Sequence, residues 1–318
     1  MKKITLTAVM LATFVGTISA QTKQKALELS YMDTSVRPQD DFYNYVNGSW
    51  MKTAKIPADK PSWGSFTQLR ETTDMNSLGL LDNILKEKYA AGSEGQKIQA
   101  LYETYMDMDK RNADGLNPIK GDLAKVDAIK NLSDLQKYLT DATRRGDNTF
   151  YGWGVDGDLK NSKMNAVYLG DASLGLGRDY YQKESPKNTE TIEEYKKYVA
   201  QVLTEIGYKN APAVAAQIVD FEKKMAKTLL TNEQIRDATL QYNPKTMPEL
   251  KSLVKNVDLP KYLADAGVRT DKVIIGELNY YKNLDTFLTE KNIPIIKDYI
   301  KFNLVSGSSG YLSQKLDD

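Results

Sequence analysis

The chain has 318 residues, 41% of them hydrophobic, which is enough to bury the core of one large domain or two small ones and excludes disorder throughout. Its 43 basic and 42 acidic side chains nearly cancel, so no global field draws it to nucleic acid or to anionic lipid. Cysteine and histidine are both absent, which excludes disulfides and thiolate chemistry and removes the commonest zinc ligand and the usual general base at neutral pH.

Lys2 and Lys3, the apolar run from Ile4 to Ile18, and then Ser19 and Ala20 predict a secretory signal over residues 1–20, cleaved near Gln21. The run is shorter than a membrane-spanning helix and is interrupted by threonines, and no later stretch is apolar enough to span, so no membrane span is expected after cleavage. Residues 21–40 are polar and aperiodic, an extended lead-in whose order depends on docking. From Asp41 to Asp318 the patterning is mainly helical. Ser133 with Gln136 predicts a helix start.

The aromatic and β-branched segments 149–155 and 165–169, with Asp156-Gly157-Asp158 and Asn161 as turn formers between them, predict a small β-hairpin. Gly175 and Gly177 suit a tight backbone passage. Thr191 with Glu194 predicts a capping box opening a helix that carries Ile192, Tyr195, Val199, Val202, Leu203 and Ile206 on one face and ends at Gly207. A second helix carries Val214, Ile218, Phe221, Met225 and Leu229, with Pro212 in its first turn. Thr246 with Glu249 marks another start, and Leu278, Tyr281, Leu284 and Leu288 form a further apolar stripe. These stripes are assigned to a core, giving a mainly α fold with one hairpin. Tyr311 and Leu312 open a further helical segment with no glycine cap or polar tail after it, so the terminus is expected to interrupt a longer protein.

No catalytic constellation emerges from the residues alone. A His-Glu-x-x-His zinc site needs two imidazoles one helical turn apart, and a serine–histidine pair needs one. Ser49 with Lys52 and Ser252 with Lys255 have the Ser-x-x-Lys spacing but lack its accompanying motifs. Asp107, Asp109, Asn112 and Asp114 resemble a calcium loop, yet Arg111 and Asn112 occupy a ligand position and the glycine position, which favours an exposed acidic turn. Adjacent Glu193 and Glu194 point to different sectors of a helix and suit solvation better than an acid/base pair.

The run from Asp40 to Trp50 (DDFYNYVNGSW), Ile56-Pro57-Ala58-Asp59 and Trp63-Gly64-Ser65-Phe66 resembles the N-terminal signature of the neprilysin and endothelin-converting enzyme family of zinc metallopeptidases. The run from Leu174 to Tyr181 (LGLGRDYY), Arg236-Asp237, Tyr242-Asn243-Pro244 and Tyr311-Leu312-Ser313 extend the likeness over nearly all of the mature chain. The resemblance implies a helical lid facing a separate catalytic domain, the two enclosing a cavity that admits peptides. It also implies that the zinc-binding helix and the substrate-holding strand belong to the later part of such enzymes. Where the neprilysin branch has a carboxylate-binding arginine before the aromatic-glycine pair, this sequence has Ser62. Substrate contact at Ser62 and Trp63 is therefore implied without a bidentate charged fork.

Residues 41–318 are accordingly expected to be the N-terminal lid portion of a secreted or periplasmic zinc endopeptidase acting on small peptides, truncated before its C-terminal catalytic domain. Its partners would be the peptide substrate and that domain. Zinc would belong to the complete enzyme, with no metal or catalytic residue in this chain, which should be inactive alone. The alternative expectation is a stand-alone exported peptide-binding module.

Overall fold

A computed structural model describes residues 27–317, so the expected signal segment 1–20 and the first part of the lead-in lie outside the described residues. The chain divides into two compact units, one ending at Gln99 and the other beginning at Ala100.

In the first unit a 3-10 turn, Leu29–Tyr31, is followed by the helices Phe42–Thr53 and Ser65–Lys86 and by the start of Glu94–Met106, which runs on into the second unit. Asp41 caps the first helix by accepting from the Asn44 amide. Residues 31–36 then fold onto that helix. The Asp33 amide donates to the Tyr45 carbonyl, Ser49 Oγ donates to the Met32 carbonyl at 2.8 Å, and the Tyr31 and Trp50 rings meet at 6.2 Å. A side chain at Gly48 would stand 2.8 Å from Asp33 Cβ, so this contact requires glycine. The Asn-Gly-Ser-Trp segment is thus a docking face for the lead-in. Beyond it, the unit has almost no interior: Gly48 is the one buried residue among the described residues 27–99.

The second unit holds the core. Helices Pro186–Glu205, Ala211–Ala226 and Ile293–Ser308 pack on one another, burying Val199, Leu203, Ile218, Met225, Tyr299 and Val305. Beside them lies a four-stranded sheet, β1 (Trp153–Asp158), β2 (Asn161–Leu169), β3 (Asn243–Thr246) and β4 (Lys272–Ile275), in the order β1-β2-β4-β3. The expected hairpin is the antiparallel β1/β2 pair. However, Asp156-Gly157-Asp158 lies within β1, the register slips between Gly157 and Asp158, and the reversal falls at Leu159 and Lys160. β2 runs parallel to β4, whose Val273, Ile274 and Ile275 are all buried. That continuous apolar run suits an interior strand and carries no alternation by which the sequence would reveal it.

The Thr246/Glu249 capping box is present, and Pro212 sits in the first turn of Ala211–Ala226. Gly207 closes its helix with φ of +90°. Two expected helix starts are corrected. The helix Pro186–Glu205 is capped by Ser185, while Thr191 Oγ1 donates to the Lys187 carbonyl within it and Glu194 pairs with Lys197. Asn131 rather than Ser133 caps Leu132–Thr143, and Gln136 instead bonds the backbone of Asp258 through both amide atoms. Past the first turn of a helix the amide ahead is already bonded to the carbonyl four residues back and needs no side-chain acceptor, so the sequence pattern alone does not make a cap. At the far end the new helical turn begins at Gln314, after a 3-10 segment Ser309–Tyr311.

Ile218 is fully buried, whereas Val155 is exposed on the hairpin. Ile218→Ala is expected to lower stability by about 2–5 kcal/mol and Val155→Ala by under about 0.5 kcal/mol, read from denaturation midpoints at unchanged slope.

Candidate functional site

Two places gather the residues that the sequence singled out, one in each unit. In the first unit Ser62 is exposed and Trp63 half-buried, immediately before the helix Ser65–Lys86. Gly64 occupies the N-cap in an extended conformation and supplies no side-chain acceptor, so the first amides of this 22-residue helix carry no side-chain cap. Phe66, in its first turn, is 91% exposed, and Leu69, Met75, Leu78 and Leu80 along it are exposed as well. The segment therefore presents an uncapped helix start, an indole and a bare apolar helix.

In the second unit the Leu174–Tyr181 motif is a turn pinned by two carboxylates. Glu222 has no exposed surface, and it accepts from the Gly175 amide at 3.0 Å, the Tyr181 hydroxyl at 2.7 Å and the Tyr195 hydroxyl at 3.1 Å. A side chain at Gly175 would stand 1.8 Å from the Tyr195 hydroxyl oxygen, so the expected tight passage is real there, whereas one at Gly177 would meet only the Tyr180 ring at an ordinary 3.8 Å. Burial pushes the Glu222 carboxyl above its ordinary range, opposed by the hydrogen bonds from Tyr181, Gly175 and Tyr195. Burial, together with the Glu222 charge, pushes the Tyr181 and Tyr195 hydroxyls upward too. On the other side of the turn, Arg178 donates to Glu277 at 2.6 Å, to the Leu230 carbonyl at 2.7 Å and to Asp171 at 3.1 Å. Glu277 in turn accepts from the Leu230 amide.

The remaining motif residues are ties of the same kind. Asp237 accepts from the Thr239 amide, the Tyr242 hydroxyl donates to Asp158, and the Asn243 side chain donates to the carbonyls of Leu240 and Ile275. The Ser-x-x-Lys spacings form no pairs: Ser49 bonds Met32, Lys52 bonds Asp33, Ser252 bonds the Pro248 carbonyl, and the Lys255 amide bonds Asp285. The acidic run 107–114 is a helix, Met108–Asp114, rather than an exposed turn. Asp107 caps it, Asp114 pairs with Lys110, and Asn112 accepts from the Gln314 amide. Glu193 and Glu194 pair with Lys196 and Lys197.

The sequence offers no imidazole or thiolate, and no three Asp or Glu among the described residues stand close enough to share a metal. Sequence reading missed Glu222 and Glu277. The signal for Glu222 lay in its spacing, four residues after Ile218 and three before Met225, which places a carboxylate on the apolar face of its helix.

Replacing Glu222 by Leu leaves two buried hydroxyls and the Gly175 amide without their acceptor and is expected to cost about 3 kcal/mol or more, measured by chemical denaturation. A carboxyl raised in the fold holds its proton more tightly there than in the unfolded chain. It therefore favours folding below the unfolded carboxylate range, and that contribution is lost as pH rises through the folded value. The stability difference between wild type and Glu222→Gln should accordingly shrink as pH rises, and a flat difference would contradict the assignment.

Comparison with known proteins places this geometry. A model of the N-terminal portion of peptidase family M13 matches residues 38–318. The neutral endopeptidase of Lactococcus lactis subsp. cremoris is 25% identical over 284 residues, covering 88% of this chain and 45% of that protein. Endothelin-converting enzyme 1 of Cavia porcellus is 25% identical over 308 residues, covering 91% and 40%. The crystal structure of the Mycobacterium tuberculosis zinc metalloprotease Zmp1 with an inhibitor superposes with a TM-score of 0.78 at 24% identity, covering 91% of this chain and 45% of that one. The chain spans less than half the length of each of these relatives.

Proposed function

Because the chain belongs to peptidase family M13 and matches the N-terminal portion of its zinc metallopeptidases, we propose that it works as the non-catalytic part of a secreted or periplasmic zinc endopeptidase for small peptides. In this reading the second unit is the lid over the substrate cavity, and the first unit is a surface on which further polypeptide packs. Zinc and the activated water belong to that further polypeptide, where the metal would polarise the scissile carbonyl. The residues of this chain enclose the peptide and select it by size.

The observation that carries the proposal is the contrast in burial between the two units. The second unit has a core from Ile119 to Leu312 and a turn locked by Glu222 and Arg178, as a rigid lid requires. In the first unit only Gly48 is buried among the described residues, while Phe42, Tyr43, Ile56, Phe66, Met75 and Leu80 are exposed. Exposed apolar side chains gathered in this way mark a surface on which other polypeptide packs. No helix of the described residues is long and apolar enough to cross a membrane.

The test is a peptide-cleavage assay with added zinc on the purified chain and on the product of the longer reading frame. The chain alone is expected to be inactive and the longer product active and chelator-sensitive. Chelator-sensitive turnover by the chain alone, or a stop codon directly after Asp318, would overturn the proposal. We also place Ser62 and Trp63 against the substrate, beside the uncapped start of Ser65–Lys86, where free amides favour a carboxylate. In the longer enzyme Trp63→Ala should raise KM by on the order of tenfold with a smaller change in kcat. An unchanged KM removes Trp63 from the substrate path.

A further inference from the structure

Arg111 is 8% exposed and lies in the short helix Met108–Asp114, directly after the helix Glu94–Met106 by which the chain enters the second unit. Its guanidinium is spent on two stretches of chain far apart in sequence. Nη1 donates to the Tyr105 carbonyl at 3.1 Å, on the entering helix. Nε donates to the Leu312 carbonyl at 2.7 Å, and Nη2 donates to the Gly310 carbonyl at 2.9 Å and to Asp317 at 3.1 Å, all at the far end of the unit. Next to it, Asn112 accepts from the Gln314 amide at 2.9 Å. The Tyr105 and Tyr311 rings close over the junction edge to face at 6.1 Å, and the guanidinium stands 5.0 Å from the Tyr105 ring centre. A fork of rigid donors aimed in several directions can make this junction, and an ammonium point charge cannot.

We infer that Arg111 is a clamp that ties the entering helix to residues 310–317, so that the two ends of the second unit move as one body. The consequence for function rests on the reading given above. In a peptidase whose polypeptide continues past these residues, both connections from the lid to the remainder pass through this one side chain, which makes it the fixed point about which the lid would turn. The clamp itself is a property of the chain as it stands.

Hydrogen exchange followed by mass spectrometry on this chain tests it without calling on peptidase activity, so its failure and that of the functional reading are distinguishable. In Arg111→Met, peptides covering 101–106 and 309–317 should exchange together, on the order of tenfold or more faster, while peptides from 218–226 and 293–305 keep their protection. Arg111→Lys should restore part of that protection. Asn112→Ala, an exposed position that leaves the core intact, should loosen 313–317 alone. Exchange that rises at 309–317 in Arg111→Met without a matching rise at 101–106, or that rises through the core as well, would overturn the clamp, as would no change at either end. Should Arg111→Met fail to fold, coupled loosening of both ends in Arg111→Lys supports the clamp, and exchange in Arg111→Lys identical to wild type overturns it.

Discussion

A carboxylate that cannot reach water organises the second unit. Glu222 sits on the apolar face of Ala211–Ala226 and draws three donors onto itself. These are the backbone of the 174–181 turn at Gly175, Tyr181 from that turn's end, and Tyr195 from the neighbouring helix. Each bond is modest by itself, but an unpaired buried carboxylate is so costly that the arrangement admits few alternatives. Phe221, one residue earlier, meets Phe150, Phe287 and Tyr299 in the aromatic part of the core, so polar lock and apolar packing share one helix. Arg178 and Glu277 fix the outer side of the same turn, joining it to Leu230.

The first unit is built on a different economy of contacts. Its signature residues hold the lead-in to one helix, through Gly48, Ser49 and Trp50, and leave most of the larger side chains bare. The same motif sequence that marks the family therefore has two physical roles. In the second unit it closes a core, and in the first it maintains an exposed apolar surface in a defined shape. Under the functional reading this asymmetry is the expected one, since the lid must be rigid by itself whereas the first unit takes its stability from polypeptide packed on it.

The helices were legible wherever an apolar stripe ran unbroken. Tyr195, Val199, Val202 and Leu203 are buried on one helix and Ile218, Phe221 and Met225 on the next, and the core lies where their periodicity put it. Local capping was less legible, because Thr191 and Ser133 have the spacing of a cap but lie inside their helices, Thr191 more than a turn past Ser185 and Ser133 two residues past Asn131. The two short strands β3 and β4 carry too few residues for alternation to register, and β4 pairs across a long sequence separation with β2. Glu222 and Arg111 were legible only as charges out of place. What they bond to depends on residues 47 and about 200 positions away, which no local pattern encodes.

The central claim is that the first unit is stable only when further polypeptide covers it, while the second stands by itself. Limited proteolysis mapped by mass spectrometry addresses this most directly. On the chain alone, cleavage should begin within residues 42–86 and leave a resistant fragment beginning near residue 100, and in the longer product residues 42–86 should resist as well. A first unit as resistant as the second on the chain alone would contradict the account.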